Sequence, residues 1–278
     1  MDSPPKILCV VAHGYYQPWI DILFKGQELT WLSEDKAEKF QVLHFHATPV
    51  GNFLKRFDKW HERVRWTRSR IISRLLIYMD YFLTFPFIFW TPKVSKSELI
   101  TLKDPAINAQ VKDMYLTFPW KLIAMYKYAL KNYEFDYLFR TSSSSYVRTV
   151  KLSKFTETLP RKKYYGGAIA YEGANFAAGN NVLMSRDLVE KIVSKKVIIN
   201  PTIIEDVSLG NYMESIGIEL SPLPQINIDS IKKLNSISDE ELINNFHFRL
   251  RSGSMEKRND IEIMHALHQR ISKINRNK

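Results

Sequence analysis

The six residues Ile7–Ala12, Ile-Leu-Cys-Val-Val-Ala, constrain the fold more than any other stretch of the chain. They form a short, unbroken apolar run rich in β-branched side chains and closed by His13-Gly14. Such a run predicts a strand buried on both faces, the condition met in parallel sheets with helices on either side. A helical segment follows at Ile20 to Leu32, and Phe40 to His46 alternates like a second strand. The order β, α, β predicts an α/β domain. With 278 residues, 45% of them hydrophobic, the chain can bury a sizeable core. No repeat interrupts it, and its one low-complexity stretch is the run Ser142 to Ser145, so one domain over 1–278 is expected, with an appendage at 53–93.

A net charge of +11 implies an anionic partner: nucleic acid, an acidic membrane face or a phosphorylated small molecule. The cations concentrate between Lys55 and Arg74, interleaved with Phe57, Trp60, Val64 and Trp66, as in an amphipathic helix with a cationic face. The next stretch, Ile71 to Trp90, is nearly apolar but contains Arg74, Asp80 and Pro86. A charge at the bilayer centre costs about 2.5 to 3.5 kcal/mol on insertion scales, which argues against a spanning helix. A core helix, an active-site flap and a membrane-surface element are the alternatives left open. Cys9 is the single cysteine, so no intrachain disulfide can form and a reducing compartment is favoured. The start MDSPPK lacks the features of a leader, and no acceptor site for N-glycosylation occurs. The expectation is a cytoplasmic protein, peripheral to a membrane if it meets one.

From Asp113 to Leu130 the apolar residues fall at helical spacing, with Leu122, Met125, Tyr126 and Ala129 on one face and Asn132 ending the helix. Phe135 to Phe139 reads as a strand, followed by the hydroxyl-rich loop Thr141 to Tyr146. Open α/β sheets bind their ligands at such strand ends. Val150 to Leu159 and Ser185 to Val193 read as helices, Ser185 as an N-cap, Tyr164 to Tyr171 as extended, and Ile204 to Ile216 as a helix opened by Glu205-Asp206.

Several segments in order carry a resemblance. They are Asp113-x-Tyr115 with Lys121 and Tyr128-Ala-Leu130; Phe139-Arg-Thr141 with Tyr146-Val147; Gly166-Gly167; Ala178-Gly-Asn-Asn-Val-Leu-Met-Ser-Arg-Asp-Leu-Val189; Glu205-Asp-Val-Ser-Leu-Gly210; and His247. Together, over residues 110 to 250, the chain resembles glycosyltransferase family 31, the Fringe-like β-1,3-glycosyltransferases of GT-A type. The resemblance implies a Rossmann-like mixed sheet with flanking helices. It also implies an inverting transfer of a hexose from a nucleoside-diphosphate sugar, uridine-linked in the family, to a glycan or lipid-linked hydroxyl. Asp206 then falls in the role of general base, with Glu205 orienting the acceptor or capping the helix, and Gly179 and Asn180 on the acceptor side. The donor side would take His13, Arg140, Ser142, Ser143, Ser144, His247, Arg249 and Arg251.

One departure is large. Ser142, Ser143 and Ser144 stand where the family's metal-binding aspartates belong. Neutral hydroxyls supply dipoles without charge, so affinity for Mn²⁺ or Mg²⁺ should collapse. No cofactor is expected, Mn²⁺ being the alternative if the serines do not decide the matter. Either cations such as Arg249 and Arg251 replace the metal, or the chain is a decayed transferase that only binds sugar or nucleotide. A nucleic-acid binder would use the basic stretch and its tryptophans but leaves the ordered motifs unexplained.

Overall fold

The computed structural model describes residues 3–65, 70–87, 90–97, 102–200, 203–250 and 258–276. Its strands are β1 (Ile7–Ala12), β2 (Phe40–Thr48), β3 (Val94–Lys96), β4 (Ala106–Lys112), β5 (Tyr137–Ser142), β6 (Ser145–Val147), β7 (Tyr165–Ile169), β8 (Ala177–Ser185), β9 (Ser221–Pro222), β10 (Ile226–Asn227) and β11 (His247–Arg249). The helices are α1 (Trp19–Asp21), α2 (Asn52–Arg65), α3 (Arg70–Thr84), α4 (Phe118–Asn132), α5 (Thr149–Thr156), α6 (Arg186–Lys195), α7 (Glu205–Ser215), α8 (Ile231–Ser236), α9 (Asp239–Asn244) and α10 (Asp260–Arg276).

β1 lies inside an eight-stranded sheet of order β3-β4-β2-β1-β5-β8-β7-β9. It pairs in parallel with β2 on one side and β5 on the other, Ile7 standing between Phe40 and Tyr137. Its side chains therefore alternate between two cores. Leu8 and Val10 meet Leu43, Phe45 and Leu138 beneath α4, while Ile7, Cys9 and Val11 meet Val42 and Phe139 beneath α10. Burying each such aliphatic or aromatic side chain stabilises the fold by about 1.5 to 3 kcal/mol, which is why β1 carries no polar residue. β8 runs antiparallel to both β5 and β7, so the sheet is mixed. A second sheet, β10-β11-β6, packs at the end of β5.

Four boundaries differ from the sequence reading. The α-helical turn is confined to Trp19–Asp21, so only its last two residues fall in the expected Ile20 to Leu32 helix; Ile22–Gln27 winds as a wider π-turn. There the Gln27 amide donates to the carbonyls of Ser142 and Ser145, and the Thr30 hydroxyl to that of Gly26. Such side-chain bonds draw the backbone out of regular winding. The helix expected from Asp113 begins at Phe118, with Pro119 in its first turn, where a missing N–H costs nothing. β5 runs on through Arg140, Thr141 and Ser142 because β1 and β8 pair with it there, leaving Ser143-Ser144 as a two-residue turn into β6. Finally, the basic stretch forms two helices, α2 and α3, with 66–69 outside the described residues.

Candidate active site

The acidic pair opens α7, whose first-turn N–H groups favour negative charge. Asp206 is gripped from two sides. Its Oδ1 accepts from Arg140 Nη2 at 2.5 Å, and its Oδ2 accepts from the backbone N–H of Gly179 at 2.9 Å. Arg140 shares with Leu138 the face of β5 that packs under α4, and it is 1% exposed. A guanidinium so far from water requires counter-charge, and it has Asp206 beside it and Glu205 Oε1 at 4.0 Å. Burial opposes the charge on Arg140, but Tyr126 and the two carboxylates outweigh it and raise its pKa. Burial and the charge of Asp206 push Glu205 up from 4.5 to about 8, against the pull of Arg140. Two carboxylates facing one arginine thus keep a proton on Glu205 near neutral pH. The Asp206 side chain is still 17% exposed. An ionised carboxylate offers about four acceptor sites, so Asp206 keeps capacity beyond the bonds from Arg140 and Gly179. A small cleft beside the pair is lined by Tyr115, Leu116, Trp120, Asn200, Ile203 and Glu205. A roomier cleft, lined by Lys6, Lys39 and Gln41, lies at the opposite ends of the strands and holds none of the predicted site residues.

The serine run closes the C-terminal end of β5 as a hairpin. Ser142 and Ser145 hydroxyls bond each other at 3.1 Å, and the Ser144 hydroxyl accepts from Arg258 Nη2 at 2.6 Å. Arg258 also pairs with the buried Asp260 and stacks 4.5 Å above Trp19. Arg249 stands opposite Ser145 in the β11·β6 register. Arg251 lies outside the described residues. These donors do not fit a divalent cation: the hydroxyls are neutral and one already faces a guanidinium. Among the described residues the one cluster of three or more His, Cys, Asp or Glu side chains close enough to share an ion is elsewhere, at Glu28, His44 and Asp104, and the Lys36 ammonium already occupies Asp104 at 2.7 and 2.9 Å.

The remaining predicted residues are spread around this centre. Asn180 donates from its amide to Gln225 Oε1 at 2.9 Å. His247 lies on the other face of β5, its Nε2 3.1 Å from the Thr141 hydroxyl, and burial followed by the charge of Arg249 lowers its pKa to about 3. His13 is buried beyond β1 with Nε2 2.7 Å from His44 Nδ1, and burial followed by neighbouring His44 and Lys121 holds it neutral. The motif pair Asp113 and Lys121 does meet, at 3.1 Å, and Lys121 also donates to the His13 carbonyl. Ser185 occupies the N-cap position of α6, but its hydroxyl donates to Asp187 and accepts from Tyr164 N–H instead of capping. The structure thus unites Asp206, Glu205, Gly179 and Arg140, sets Ser142, Ser143, Ser144 and Arg249 at the end of the same strand, and leaves the two histidines outside both groups. Arg258 has no motif around it that marks it as a site residue in the sequence; the fold carries it to Ser144.

The mixed eight-stranded sheet with its flanking helices is an α/β fold that matches GT-A glycosyltransferase structures. Among solved structures the chain is similar to the glycosyltransferase GlyE of Streptococcus pneumoniae TIGR4, with a TM-score of 0.50 and 13% identity over 98% of this chain. It spans 63% of the length of that structure. It is also similar to a glycosyltransferase involved in glycosylation of the major capsid of PBCV-1, with a TM-score of 0.49 and 11% identity, covering 94% of this chain and all of the other. No family model and no curated protein matches the chain.

Proposed function

We propose that the protein is an inverting glycosyltransferase of the family 31 kind, moving a hexose from a nucleoside-diphosphate sugar to a glycan or lipid-linked hydroxyl without a metal ion. The observation that carries this reading is Asp206, held by Arg140 and the Gly179 N–H, still partly exposed, and next to Glu205, which lines a cleft. A base must be fixed within hydrogen-bond reach of the proton it removes, and both bonds fix it. In the step proposed, Asp206 takes the acceptor hydroxyl proton while the hydroxyl oxygen bonds to the anomeric carbon. The bond from that carbon to the phosphate oxygen breaks, its electron pair leaves with the nucleoside diphosphate, and the configuration inverts. Arg258 and Arg249 flank the serine hairpin and would meet the departing charge, since guanidinium groups match phosphate oxygens in pairs. The buried lone Cys9 and the basic surface favour work in a reducing cytoplasm against an anionic membrane.

The test is a panel of nucleoside-diphosphate sugars incubated with the protein in EDTA or in Mn²⁺, with diphosphate release and product anomeric configuration recorded by NMR. Turnover in EDTA with inversion, lost in Asp206→Asn by a factor of about 10² or more, is expected. Turnover only with Mn²⁺ would overturn the metal-free mechanism, and retention of configuration the role of Asp206. Donor binding by calorimetry without turnover would support the decayed binding module instead.

A further inference from the structure

The hairpin of α2 and α3 is built the wrong way round for a helix pair in water. A helix of a soluble protein turns its apolar stripe inward and its charges outward. On α3 the inward positions are Leu76 and, four residues on, Asp80, which is 1% exposed. The outward stripe follows helical spacing through Ile71 (74% exposed), Leu75 (66%), Tyr78 (70%) and Phe82 (80%). Phe53 on α2 is as open as Phe82. Contiguous apolar surface of this kind marks an interaction site.

The hairpin is nonetheless tied together and to the rest of the molecule by polar contacts. His61 Nε2 and Asp80 Oδ1 lie 2.7 Å apart in the buried seam between α2 and α3. The Asp58 carboxylate accepts the backbone N–H of Tyr115 with both oxygens at 3.0 Å, tying α2 to the segment before α4. Tyr115 and Glu205 line the same cleft. The helix that carries the exposed stripe is therefore linked to the acidic pair through three contacts, Asp80 to His61, Asp58 to Tyr115, and Tyr115 across the cleft to Glu205.

We propose that this hairpin docks on an anionic lipid bilayer, with α3 lying in the interface and its stripe among the acyl chains, and so turns the Glu205 cleft toward a lipid-linked acceptor. Charge complementarity selects the bilayer over other occupants. Arg56, Lys59 and Arg63 on α2 and Arg74 on α3 are all exposed, whereas Asp58 and Asp80 are both engaged by neighbouring groups. Cations beside an apolar face, with Trp60 and Tyr78 exposed among them, match the headgroup region of a negatively charged leaflet. α3 has 15 residues and carries Arg74 and Asp80, so it suits an interfacial seat; no helix among the described residues is long and apolar enough to cross. The docking stands without the transferase reading, whereas the presentation of an acceptor rests on it.

The experiment is sedimentation of the full chain with vesicles of phosphatidylcholine, alone or mixed with phosphatidylglycerol. Wild type should sediment with the anionic vesicles and be released by salt. The double variant Leu75→Ser, Phe82→Ser removes only exposed groups and should bind at least about tenfold more weakly while keeping its thermal midpoint. Asp206→Asn should bind as wild type does, which separates docking from catalysis. An environment-sensitive dye on Leu83→Cys should shift to the blue on binding; Cys9 is buried and its thiol is pushed up by burial, so it does not compete for the label. Wild type left in the supernatant, or a double variant that binds equally well, would overturn the proposal. So would a dimer seen by light scattering that the double variant abolishes, since the stripe would then belong to a second copy.

Discussion

Gly179 leaves no room for a side chain. A Cβ there would lie 2.8 Å from each carboxylate oxygen of Asp206 and 2.9 Å from Arg140 Nη2, at van der Waals overlap with both partners of that ion pair. Gly179→Ala should displace Asp206 by a fraction of an ångström to an ångström and lower turnover by about 10²-fold, at a stability cost of about 1 to 3 kcal/mol from overpacking. Steady-state kinetics and urea titration check both, and unchanged turnover would detach Gly179 from the site. Glu205 gives a pH signature. Its folded pKa, about 8, exceeds its ordinary 4.5, so between these values the native state holds a proton that the unfolded chain releases. Stability then falls as pH rises through that window, is unaffected below it, and levels off above it. Glu205→Gln should flatten that slope, seen as a difference in thermal midpoint against wild type that grows from pH 5 to pH 8. The acids themselves were legible, because a pair at a helix start stands out among apolar neighbours. Their grip was not: Arg140 lies 66 positions from Asp206, and in sequence it read as a donor-side residue beside the serines.

At the scale of elements, short-range patterns were legible and those imposed by distant partners were not. β1 was plain because burial on both faces demands apolar residues throughout. The π-turn Ile22–Gln27 was hidden because Gln27 bonds to the serine hairpin more than 100 residues away. The end of β5 was hidden in the same way: Arg140 and Ser142 look like loop residues until β1 and β8 pair with them. The hairpin that results places the Ser144 hydroxyl under Arg258, which Asp260 and the ring of Trp19 hold from behind. If this guanidinium replaces the metal, Arg258→Ala should lower diphosphate release by about 10²- to 10³-fold, with EDTA making no difference to either protein. Arg258→Lys should recover part of the loss, because the charge returns without the paired geometry. Full activity in Arg258→Ala would remove it from the mechanism and leave Arg249 as the described candidate at the hairpin.

The whole molecule joins two charge problems. The excess of cations destabilises a compact chain by self-repulsion, and an anion bound at the strand ends relieves part of it. A ligand that binds only the folded state raises stability by RT ln(1 + [L]/Kd), about 2.7 kcal/mol at a hundredfold excess over Kd. Because the cations at the hairpin are side chains, that gain should be present in EDTA. Uridine diphosphate at a hundredfold excess should then raise the thermal midpoint by several degrees, equally in EDTA and in Mn²⁺, since about 1 kcal/mol moves a domain of 150 to 250 residues by about 2 to 4 °C. Adding salt should shrink the shift, as screening weakens guanidinium–phosphate contacts that are open to solvent. A shift confined to Mn²⁺ would show that a divalent ion carries the diphosphate after all, and the serine hairpin would then be a neighbour of the metal site instead of its replacement. Equal shifts that disappear in Arg258→Ala but persist in Asp206→Asn would separate donor holding at the hairpin from proton removal at α7, and Arg140 and Ser142 would then join the two along β5.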